Sequence, residues 1–116
     1  MLQITPQMKI FLGVEPVDFR KGIDRLVSLT NLQLKADPFS GHVFVFCNKR
    51  RTAVKVLVYD GNGFWLCLKR FSKGKLAFWP KSALGKQKIN ATELMIILQQ
   101  GNPKELRLGK DWKKLH

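Results

Sequence analysis

Acidic residues are what this chain has least of. Among 116 residues, 8 Asp and Glu stand against 21 Lys and Arg, a formal net charge of +13 at pH 7. So little acid leaves few candidates for carboxylate chemistry, and so large a surplus of cations points to a polyanionic partner. Cysteine is scarce too: two residues do not make a disulfide framework. No apolar run approaches the roughly 18 residues that a membrane span needs. The opening residues MLQITPQMKIF have neither the basic start nor the apolar stretch of a secretory leader. Repeats, linkers and low-complexity stretches are all missing. The expectation is one cytoplasmic domain over residues 1–116, with a core at about 9–100, a tail at 101–116 and no membrane partner. The 45% of hydrophobic residues is ample for a packed core and argues against disorder.

The cations that are present are unevenly placed. Between residues 49 and 88 lie Lys49, Arg50, Arg51, Lys55, Lys69, Arg70, Lys73, Lys75, Lys81, Lys86 and Lys88, with Asp60 the only acid among them. That stretch holds +10 of the total +13, while the first 48 residues are nearly balanced at +1. Charge concentrated in this way predicts a basic face. Phe64, Trp65, Phe71, Phe78 and Trp79 are interleaved with the cations, so the basic stretch is expected to be folded, unlike a solvated tail.

Residues 9–14 (KIFLGV) read as a short strand. Asp18 is a candidate N-cap for an amphipathic helix over about 19–31, on which Ile23, Leu26, Val27 and Thr30 share a face. Asp37-Pro38-Phe39-Ser40-Gly41 is turn chemistry. HVFVFCN (42–48), AVKVLVYD (53–60) and FWLCLKRF (64–71) are strand-like, and Gly61-Asn62-Gly63 between the last two is a hairpin turn. A further strand is expected at 75–79, ended by Pro80. Asn90 or Thr92 would cap a second helix reaching about Gln100, stopped by Gly101-Asn102-Pro103. Trp112 and Leu115 could dock as one short turn. The fold class expected is α+β: an antiparallel β-meander of about four strands, with an N-terminal helix packed on it and a C-terminal helix. Val54, Val56 and Val58 should occupy one face of the central hairpin, with Leu57 and Tyr59 on the other.

PVDFRKGID (16–24), DPFSGHVFVFCNKRR (37–51) and VKVLVYDGNGFWLCLKRFSKGKLAFWP (54–80) together resemble the small accessory protein (TnpB type) encoded by bacterial insertion sequences of the insertion sequence 66 family. The likeness runs in order from about residue 10 to Pro80 and continues more loosely into GKDWKKL (109–115). Asn102–Leu108 reads as extra length relative to that pattern. The resemblance implies a role in transposition, assisting a separate and larger transposase of the same element, and hence a nucleoid-associated protein. It brings no catalytic residues with it.

The residues themselves support no catalytic assignment. A two-metal recombinase needs acids held together on a buried scaffold. The acids here are Glu15, Asp18, Asp24, Asp37, Asp60, Glu93, Glu105 and Asp111, and none sits in the middle of a strand pattern. Asp18 has a capping explanation, and Asp37 and Asp60 fall at turns. His42, Cys47, Cys67 and His116 show no paired metal-ligand spacing, so neither a metal nor another cofactor is expected. Both cysteines lie in strand patterns and read as small buried hydrophobes. Gly61-Asn62-Gly63 leads into a strand and lacks the Lys and Ser/Thr of a phosphate loop. Trp65 is expected in the core, although it, Phe78 and Trp79 are each of a type that can stack on unpaired bases.

The candidate DNA-binding residues are therefore Lys49, Arg50, Arg51, Lys69, Arg70, Lys73 and Lys75. Alternate turns of a meander lie at opposite ends, so the 48–52 turn and the turn after residue 71 should share one end. Cations there suit a phosphate backbone carrying a charge about every 1.7 Å. Arg50 or Arg51 could also read guanine edges, and the alternative reading of such a short charged run is a solvated turn. The expected function is a non-catalytic accessory factor for transposition that binds DNA. The alternatives are an adaptor or regulator of the transposase without DNA affinity of its own, and an RNA-binding protein.

Overall fold

Strands rich in β-branched and aromatic residues on both faces must be covered on both sides, which calls for three layers. The computed structural model, which describes residues 3–107, has that arrangement. Its elements are β1 (Ile10–Gly13), α1 (Ile23–Leu32), β2 (Val43–Cys47), β3 (Ala53–Tyr59), β4 (Phe64–Arg70), β5 (Lys86–Ile89), α2 (Ala91–Leu98) and α3 (Pro103–Arg107). The strands form one sheet in the order β4-β3-β2-β1-β5. β2, β3 and β4 pair antiparallel in sequence, as hairpin signals require. β1 pairs parallel with β2 and antiparallel with β5.

The expected antiparallel four-strand meander is thus corrected to a mixed sheet of five strands within an α+β fold. The reason for the parallel pair lies in α1: a helix between two strands carries the chain back to the starting end, so the second strand runs the same way as the first. The strand expected at 75–79 does not form. Phe71, Leu76 and Trp79 leave the sheet and enter the core on one face of it. There the Leu76 amide donates to the Arg51 carbonyl, while Gln100 Nε2 donates to the carbonyls of Lys73 and Lys75. β5 carries no strand signal in the sequence, because KQKI has no apolar alternation and buries only Ile89.

Both faces of the sheet are covered. Val17, Leu26, Leu29, Leu34, Phe44, Phe46 and Leu57 pack on the α1 side. Ile10, Leu12, Val43, Val45, Val54, Val58, Leu76, Trp79, Leu94 and Ile97 pack on the α2 side. β2 lies at the centre with all five of its residues buried. Burying a large apolar side chain contributes roughly 1.5–3 kcal/mol, so this strand anchors the fold. Val54 and Val58 separate from Leu57 as period two demands.

The helices begin differently. Asn90 caps α2 through a reciprocal pair: its side chain accepts from the Glu93 amide at 2.7 Å, and its own amide donates to the Glu93 carboxylate at 3.0 Å. α1 begins at Ile23, later than expected, with Gly22 at its N-cap and no side-chain cap bond. Asp18 accepts instead from the amide and guanidinium of Arg20, so it organises a turn ahead of the helix. The turn anticipated around Trp112 and Leu115 lies outside the described residues.

Candidate nucleic-acid interface

The β2–β3 turn is held from below by one side chain. Asn48 Oδ1 accepts from the amides of Thr52 and Ala53, and its Nδ2 donates to Thr52 Oγ1 at 2.9 Å. Arg51 completes the turn with φ at 59°, its amide bonded to the Asn48 carbonyl. A short amide side chain can close a turn in this way while longer residues project from it. Lys49 and Arg50 are therefore exposed at the tip, and Arg51 is half-buried beneath them.

A second stretch joins that tip. The Val17 amide donates to the Cys47 carbonyl at 2.9 Å, which docks residues 17–20 beside the end of β2. Lys55 secures the same stretch from β3: its ammonium donates to the Phe19 carbonyl at 2.9 Å and lies over the Phe19 ring. Arg70, at the end of β4, completes the surround. Arg20, Lys49, Arg50 and Arg70 line an open depression of about 590 Å³ with Val17, Asp18, Phe19 and Asn48. Its one acid is Asp18, whose hydrogen-bonded partner Arg20 holds the carboxyl down at about 2. The pair is bidentate and 91% of the Arg20 side chain remains exposed, so Arg20 is oriented but still accessible.

The structure thus groups Lys49, Arg50 and Arg70, and adds Arg20, which the sequence reading left out. Arg20 lies 29 positions before Lys49, and only the parallel docking of the chain after β1 brings them together. Lys69 is set apart from Arg70 because neighbours in a strand face opposite ways. Its ammonium donates to the Leu98 carbonyl at 2.6 Å on the α2 side, at the negative end of that helix. Lys73 and Lys75 are exposed on the loop that Gln100 holds, and Lys75 directly precedes Leu76, whose amide is bonded to the Arg51 carbonyl.

A different group of lysines lies elsewhere. Lys81, Lys88 and Lys104 surround a cavity of about 410 Å³ with Phe78, Trp79, Pro80, Ile89 and Glu93. Phe78 is half-buried beneath the Lys104 ammonium, and Trp79 is buried. Trp65, expected in the core, is 41% exposed instead. Its indole N–H reaches the Asp60 carboxylate at 2.8 Å, which settles the polar end of the ring at the hairpin turn. Cys47 is buried, as its strand pattern suggested, but Cys67 is exposed because β4 is an edge strand. Among the described residues, no three His, Cys, Asp or Glu side chains are grouped as metal ligands would be. No described helix is long and apolar enough to cross a membrane.

Comparison with known proteins reaches beyond the motifs. The protein y4jC of Sinorhizobium fredii, itself uncharacterized, is 40% identical over 73 residues, covering 63% of this chain and 62% of that protein. The match therefore spans less than two thirds of y4jC. A second uncharacterized protein of the same organism, y4hO, is 27% identical over 113 residues, covering 97% of this chain and 90% of that protein. No solved structure matches the chain. The family of IS66 Orf2-like proteins matches residues 8–107, nearly the whole described fold. On that extent of match, the chain belongs to the IS66 Orf2-like family, the accessory proteins of IS66 insertion sequences.

Proposed function

We propose that this chain serves transposition as a non-catalytic factor, binding the DNA backbone at the depression lined by Arg20, Lys49, Arg50 and Arg70 and assisting a separate transposase. The supporting observation is convergence. Cations from three distant stretches meet around one open surface, and its only acid is already paired with Arg20. Guanidinium groups suit this task because their planar fork matches two phosphate oxygens at once. Arg51, Lys73 and Lys75 lie at the same end and extend the contact along the backbone.

Titration with duplex DNA across a salt series tests the reading. Contact with about six phosphates gives a log–log slope near −5. Changing Lys49, Arg50 and Arg70 together to Ala should weaken binding uniformly across sequences and reduce the slope by about 3. A flat salt response rejects DNA binding. Recovery of the transposase from nuclease-treated lysate, with that flat response, would make the protein an adaptor. Preference for structured RNA over duplex DNA in competition would redirect the reading to RNA.

A further inference from the structure

We propose that two copies of this chain pair through the outer edge of β4, antiparallel and in register about Cys67, joining their sheets into one of ten strands. β4 ends the sheet, and among the described residues no strand pairs with its outer side. An exposed edge of seven residues presents a row of unpaired amides and carbonyls, which proteins ordinarily blunt with charge, proline or a bulge. The middle of this edge, Leu66-Cys67-Leu68, has none of these. Its register with β3 is unbroken from Phe64 to Arg70. Apolar side chains are exposed along it: Leu68 is 58% accessible and Trp65 41%.

The phase of the ladder fixes which groups face outward. The Phe71 amide donates to Thr52 and the Gly63 carbonyl accepts from Asp60, so odd-numbered residues of this strand direct their backbone to β3. The even-numbered residues, Leu66 and Leu68 among them, direct theirs to the open side. Cys67 is the central residue of the strand. A two-fold axis through it sets Leu66 of one copy opposite Leu68 of the other as a hydrogen-bonded pair. Cys67 then faces its counterpart as a non-hydrogen-bonded pair, with Cα atoms about 4.5 Å apart.

The side chains agree with this register. Lys69 falls opposite Trp65 and Arg70 opposite Phe64, so each cation meets an aromatic ring and no two like charges are opposed. A two-fold axis perpendicular to the sheet leaves both α1 layers on the same side. The two Arg70 positions are then about 20 Å apart along the strands. The pairing stands whether or not the chain binds DNA.

The test uses the full chain, reduced and free of nucleic acid, in sedimentation equilibrium over a concentration series. The expected mass is twice the 13.3 kDa of one chain. A single-chain mass throughout overturns the proposal. The exposed Cys67 is then changed to Lys in one variant and to Glu in another, which opposes like charges at the axis. Each variant alone should dissociate at least tenfold more readily, and an equal mixture of the two should regain the double mass. If each variant alone associates as the wild type does, the proposal fails. Should a variant not fold, the wild-type chain decides through diamide, which accepts the two thiol hydrogens and electrons as a disulfide forms. A dimer band abolished by Cys67→Ser is expected, and none forming refutes the register.

Discussion

The indole N–H of Trp79 donates to the carbonyl oxygen of Gly13 at 3.0 Å inside the core. This bond ties the stretch that leaves the sheet after β4 to the end of β1, on the far side of β2 and β3. Gly13 is confined at that point, since a Cβ there would lie 2.9 Å from Phe46 Cδ1. Trp79 is therefore a structural residue.

Trp79→Phe keeps most of the ring volume and removes the donor, leaving a buried carbonyl unsatisfied. The expected loss is about 1–3 kcal/mol in urea unfolding, with duplex affinity of the folded protein unchanged. A stability equal to wild type would show that the bond is replaceable.

Lys69 and Arg70 are neighbours in sequence with different tasks in the fold. Arg70→Ala should reduce duplex affinity with little change in urea midpoint. Lys69→Ala should lower the midpoint, because it removes a charge bonded to the last turn of α2, an interaction worth about 0.3–1 kcal/mol. Equal affinity losses from the two changes would contradict the assignment.

The two thiols should react at different rates. Cys67 is exposed on the single chain and should be alkylated in folded protein dilute enough to hold the chains apart, whereas Cys47 is buried and its thiol is pushed up to about 11 by that burial. One thiol per folded chain and two in denaturant is the expected count.

Because the Cys47 value is raised on folding from 9.0, its neutral form is favoured in the native state. The associated stability is complete below pH 9 and declines as pH rises toward 11. Each unit corresponds to about 1.4 kcal/mol, which makes the decline on the order of 2–3 kcal/mol. Cys47→Ala should flatten this alkaline limb in unfolding measured against pH, despite a lower midpoint overall. An unchanged slope would place its cause elsewhere.

Asp60 accepts from the amides of Asn62 and Gly63 and from the Trp65 indole, and these bonds lower its carboxyl value. The stabilisation is present above the ordinary carboxylate value of 3.8 and is lost as pH falls through the lower folded value. Asp60→Ala should lower the neutral-pH midpoint and remove this part of the acid limb. An acid limb parallel to wild type would rule out the turn carboxylate as a contributor.

Much of the local structure was legible. Asn48, Asp60 and Asn90 are short polar residues at chain reversals or helix starts, and each makes the backbone bonds such residues make best. Asp18 misled because its preference for free amides was satisfied by Arg20 two residues on, before the helix began. The stretch 75–79 misled because Leu76 and Trp79 look the same whether a residue is buried in a strand or in a loop beneath a helix. Trp65 looked like core because its ring is large, yet it lies on an edge strand where one side has no neighbour.

The sequence by itself determined the family, the concentration of cations, the three consecutive strands and the capped second helix. These depend on contacts within a few residues or on composition, and short-range chemistry records both. Only the tertiary structure decided that β1 joins β2 in parallel, that KQKI closes the far edge, that Arg20 meets Lys49, Arg50 and Arg70, and that Lys69 turns away from them. Each of these depends on which distant segment covers which apolar face, a choice made by the burial of the whole core and carried by no single stretch of residues.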